Sequence, residues 1–69
     1  MHYVRFNGYA LGEARRQARL SFAQLEERSG VGERSIRHAE NCEHVPSSMA
    51  LMNLCAALGI NPESLFVRS

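Results

Sequence analysis

The stretch SGVGERSIRHAEN, residues 29–41, sets two glycines ahead of a short amphipathic run. Gly30 suits the left-handed residue that ends a helix, and Val31 behind it can enter the core. The helical pattern restarts from Gly32, with Glu33 in the first turn, where a carboxylate complements the positive end of the helix dipole. Arg34, Arg37 and His38 fall on one side of this run, away from Ile36 and Ala39. The spacing predicts two short helices about a tight glycine turn, the second carrying a cationic face.

Upstream, SFAQLEERS opens on Ser21 with Gln24 three residues later, the capping-box pattern of a helix start. Before it, GYALGEARRQAR follows a capping Asn7 and repeats Leu11, Ala14 and Ala18 at helical spacing, with Glu13 placed to pair with Arg16. Downstream, CEHVPSS reads as a loop. Ser47 after Pro46 then caps SMALMNLCAAL, whose Leu51, Leu54, Cys55 and Leu58 share a stripe that Gly59 ends. INPESLF begins a fifth helix, with Asn61 as cap and Pro62 at its first position. The expectation is one all-α domain, a compact bundle of five short helices over residues 1–69 with its core in 7–66. The terminal segments HYVRF and LFVRS are β-branched and aromatic. They either pair as short strands, within a chain or between two, or fray.

Composition narrows the function. The 69 residues are 45% hydrophobic and 22% charged, with two prolines and no tryptophan. A chain this short buries only about 60% of its unfolded surface and has no room for an elaborate cleft above its core. No apolar run approaches the ~18 residues of a membrane span, and the start lacks the apolar region of a signal peptide. A cytoplasmic, nucleoid-associated protein with reduced thiols is expected. Cys42 and Cys55 lie thirteen positions apart without a CxxC pair, and His2, His38 and His44 complete no regular set, so no metal is expected. No cofactor is called for, and the Ser, Cys and His positions assemble no nucleophile, base and orienting residue, so an enzyme is not expected. Eight arginines face seven acids, a formal net charge of +1, so any DNA-binding role requires the cations to cluster on one face.

The order of capped helix, glycine turn, second short helix, Pro-Ser loop and apolar helix resembles the Cro/repressor type (Xre-like) of phage helix-turn-helix proteins. LGEARRQARLSFAQLEERSGVGERSIRHAEN and VPSSMALMNLCAALGINPESLF carry the likeness, from Leu11 to Phe66, about four-fifths of the chain. The resemblance implies a lambda-repressor-like fold and a sequence-specific regulator of double-stranded DNA. Such a regulator acts as a repressor, binding a palindromic operator as a homodimer, in a phage or mobile-element setting. It implies that Glu33, Arg34, Arg37 and His38 face bases, and that Arg16, Arg19, Ser21, Phe22 and Ser48 meet the DNA backbone, with free amides at Ser21 and Phe22. It also implies a structural ion pair between Arg15 and Glu40. Met49, Phe66 and Val67 are the candidate dimer contacts, whereas Met52 is assigned to the core.

Four positions depart from that pattern. Phe22 stands in place of a glutamine that touches DNA, and Glu26 in place of a small alanine, so its carboxylate must turn outward or pair with an arginine such as Arg37. Cys42 replaces a glycine after the third helix, leaving Asn41 to take the left-handed conformation, and the loop CEHVP lacks basic residues. A second reading follows from Phe22, Glu26 and Glu33: a protein-interaction module that keeps the scaffold and has lost DNA reading.

Overall fold

The computed structural model describes residues 4–68. His2, considered above as a metal ligand, and the outer residues of the two terminal segments lie outside that range. The order is β1 (Val4–Phe6), α1 (Gly8–Gln17), α2 (Phe22–Ser29), α3 (Glu33–Glu40), α4 (Ser48–Leu58), a 3-10 turn (Pro62–Leu65) and β2 (Phe66–Arg68). The fold is thus mostly helical, with four α-helices among the described residues rather than five. The fifth helix stops after one 3-10 turn because Phe66 is drawn into extended backbone, φ −123° and ψ 143°, to pair with β1. The strands pair antiparallel within the chain, Val4 opposite Arg68 and Phe6 opposite Phe66. The Phe6 and Phe66 rings meet edge to face with centroids 5.8 Å apart.

Local chemistry places most boundaries. Asn7, Ser47 and Asn61 each accept a backbone N–H two or three residues ahead. Gly30 and Gly59 are left-handed, φ 78° and 68°, where any side chain would be strained. Two other helix ends use left-handed residues that are not glycine. Arg19, φ 59°, closes α1 at Gln17, short of the expected Arg19, while Leu20 N–H bonds to Arg15 O and Arg19 N–H to Arg16 O. Cys42, φ 61°, does the same after α3, which corrects the expectation for Asn41, whose φ is −85°. In both cases the pair of bonds is a Schellman closure, which satisfies carbonyls that would otherwise lose their partners.

Leu11, Leu25, Ile36, Leu54 and Leu65 are fully buried and form the centre of the core with Leu20, Val31, Ala39 and Cys55. Burial pushes the Cys55 thiol above its ordinary value. α2 packs against both α3 and α4, and α1 against α3. The α1–α3 approach is close: a Cβ at Gly8 would overlap the Ala39 carbonyl oxygen, and one at Gly12 would lie 2.8 Å from Glu40 Oε1. Met52 is 65% exposed, so it faces outward from α4 beside Met49 instead of entering the core. No helix among the described residues is long and apolar enough to cross a membrane.

Candidate nucleic-acid interface

α3 owes its position to the turn that precedes it. Ser29, buried at the end of α2, donates its hydroxyl to Leu25 O at 2.7 Å and accepts the Val31 N–H at 3.1 Å. That bond fixes the chain between Gly30 and Gly32 and seats Val31 in the core. Gly32 caps α3 with no side chain of its own. Glu26 supplies the missing acceptor: its Oε1 takes the Glu33 N–H at 3.2 Å from across the turn. Of the two placements expected for it, the Glu26 carboxylate takes the outward one: it is exposed and bonded to the backbone of α3, and does not pair with Arg37.

Glu33, Arg34, Arg37, His38, Asn41 and Glu43 line one shallow groove of about 440 Å³ along the exposed side of α3. Glu33 Oε2 accepts from Arg37 Nε at 3.0 Å and from Nη2 at 2.7 Å. His38 Nδ1 lies 3.2 Å from Glu43 Oε2. Two guanidiniums face two carboxylates, so the groove has little field with which to attract phosphate before His38 is counted. It is suited to selection by hydrogen bonds. Arg34 has no ion-pair partner among the described residues, and its fork is open to solvent.

Behind the groove stands a stacked column. Arg15 donates Nε and Nη2 to the two Glu40 oxygens at 2.7 and 3.2 Å, and Nη1 to Leu20 O at 2.9 Å. Its guanidinium lies over the Phe22 ring, 4.0 Å from the centroid, and that of Arg37 lies over the same ring at 4.4 Å. Phe22 is consequently half-buried, packed against the core and beneath two cations, and does not stand out beside the acids. At the first helical position its N–H has no intrahelical acceptor. Ser21 differs from expectation: its N–H donates to Gln24 Oε1 at 2.8 Å and its Oγ accepts the Gln24 N–H at 3.1 Å. The capping box consumes both groups, so Phe22 alone of the pair offers a free amide.

The remaining candidates lie elsewhere. Arg19 is exposed and without an ion-pair partner among the described residues, whereas Arg16 is exposed and 3.4 Å from Glu13. Ser48 opens α4 at the surface and is not part of the groove. Met49 is 73% exposed on α4 and Val67 42% on β2, while Phe66 is committed to Phe6 inside the chain. Asn41 was missed although it continues the helical spacing from Arg37 and His38. Glu43 was missed because only the left-handed turn at Cys42 brings it back to His38. Among the described residues, no three His, Cys, Asp or Glu side chains gather to hold a metal ion.

The helix-turn-helix domain family matches residues 8–65, most of the chain. No curated protein sequence matches it. Among solved structures, the restriction-modification controller protein C.AhdI from Aeromonas hydrophila superposes with a TM-score of 0.79 and 29% identity. The match covers 84% of this chain and 88% of that one. Both comparisons are with non-catalytic domains.

Proposed function

The chain belongs to the helix-turn-helix domain family, and we propose that it is a sequence-specific regulator of double-stranded DNA, a repressor that binds a two-fold symmetric operator as a homodimer. The observation that carries this reading is the groove on α3, which is lined by Arg34, Arg37 and His38 of the second helix of the motif and by Asn41 at its C-cap. Arg34 is the freest donor and reads a guanine through O6 and N7, the commonest specific contact. Phosphates are met by Arg19 and the Phe22 amide, with Arg16 and Ser48 in support. Met49 and Met52 form an exposed apolar strip on α4 that suits contact with a second copy, with Val67 as a further candidate.

Selection of bound duplexes from a random pool at moderate salt tests the reading. An enriched site with two symmetric halves about one helical turn apart supports a dimeric reader. A single enriched half-site supports reading by a monomer and removes the dimer. No enrichment by a folded protein overturns DNA reading and leaves the protein-interaction module, for which the charge-balanced groove would be the docking face.

A further inference from the structure

The column behind the groove reaches the groove itself through Arg37, whose guanidinium rests on the Phe22 ring. We propose that Phe22 and Glu33 are positioning residues for Arg37, holding its guanidinium ready as a guanine-reading fork; the inference rests on the DNA-reading role proposed above. A guanidinium has five N–H donors in a fixed plane. In Arg37, Nε and one hydrogen of Nη2 are taken by Glu33 Oε2, at 3.0 and 2.7 Å. The Phe22 ring supports the face of the same group at 4.4 Å. What remains is the far end, Nη1 and the second hydrogen of Nη2, side by side. That pair matches guanine O6 and N7.

The support is itself anchored. Phe22 lies against Arg15 at 4.0 Å, and Arg15 is tied on one side to Glu40 and on another to Leu20 O. The position of Arg37 is thereby referred back to the α1–α3 interface, and less side-chain freedom is lost when DNA binds. Glu33 has a second effect. It offsets the charge of Arg37, so Arg37 contributes to the choice of base far more than to general attraction for phosphate. In this arrangement Glu33 positions Arg37 and is not itself a base contact, and the Phe22 side chain is a strut.

Binding of a duplex enriched from the random pool is measured for wild type, Arg37→Ala, Phe22→Leu, Phe22→Tyr and Glu33→Ala. Each guanine of the site is replaced in turn by another base or by 7-deazaguanine. Arg37→Ala is expected to reduce the preference for one guanine by about tenfold. Phe22→Leu and Glu33→Ala reduce it at that same base pair, whereas Phe22→Tyr, which keeps the ring face, retains it. The salt dependence of Phe22→Leu equals that of wild type, and in an Arg37→Ala background Phe22→Leu has no further effect on base preference. Should Phe22→Leu fail to fold, Glu33→Ala, at a half-buried position outside the core, carries the same comparison. A guanine preference that depends on Arg37 yet survives Phe22→Leu and Glu33→Ala overturns this inference alone. So does an Arg37→Ala protein with unchanged preference at every guanine. A wild type that enriches no site overturns the DNA reading and this inference with it.

Discussion

Arg15 and Arg37 meet the same phenylalanine ring, and each is paired with a glutamate, yet the inner and outer ends of the column have different work. At the inner end, between α1 and α3, three nitrogens of Arg15 are bonded to Glu40 and Leu20, and the two side chains are 12% and 8% exposed. At the outer end Arg37 gives two nitrogens to one oxygen of Glu33, with the side chains 56% and 36% exposed. The residue type and the partner type are the same; what differs is the number of donors left over. A guanidinium whose donors are consumed in the interior holds the fold, and one with a free end at the surface can be spent on a ligand.

The sharpest way to break this contrast is to remove each arginine in turn. Arg15→Ala leaves the Glu40 carboxylate largely buried without its partner, and is expected to cost about 3–5 kcal/mol in urea denaturation. Arg37→Ala removes an exposed helical pair and is expected to change stability by less than about 1 kcal/mol. Equal losses would show that the two ends are one structural network. Next in size is Ser29→Ala, which orphans the buried Val31 N–H and is expected to cost about 1–3 kcal/mol of stability. A loss near zero would mean that the turn holds α3 without that bond.

Arg34→Ala probes the outer end from the other side. It is expected to leave the fold intact, to weaken binding by about 1–3 kcal/mol and to relax preference at one base pair. An equal loss on every sequence would move Arg34 to the phosphates. The smallest effect, and opposite in sign for fold and ligand, is expected of Arg19→Gly. Relieving a left-handed arginine raises stability by about 1 kcal/mol, while loss of a phosphate contact weakens binding to all sequences and lowers the salt slope by about 1. Calorimetry and a salt titration on one preparation measure both.

The inner and outer ends were unequally legible in sequence. The glycine turn, the capping box at Ser21 and Gln24, and the caps at Asn7, Ser47 and Asn61 are local signals, written in two to four adjacent residues, and they located the helices. The left-handed Arg19 and Cys42 carry no such signal. They are imposed by the closures that return Leu20 to the core and Glu43 to His38, and a local preference of about 1 kcal/mol is overridden by that tertiary demand. Glu26 capping α3 joins residues seven apart across a turn, and the seat of Phe22 depends on side chains from three helices. Neither leaves a spacing that a single sequence can show. The third helix and its cationic face were legible; which cations are already engaged was not.

Amide chemical-shift mapping of the labelled protein with a mixed-sequence duplex at low salt locates the surface that meets DNA. The largest shifts are expected on Phe22, Arg34, Arg37, His38 and Asn41, with the α4 strip at Met49 and Met52 little changed. Shifts centred on Met49 and Met52, or none at DNA excess, would contradict this expectation: the groove on α3 would then not be the surface that meets DNA.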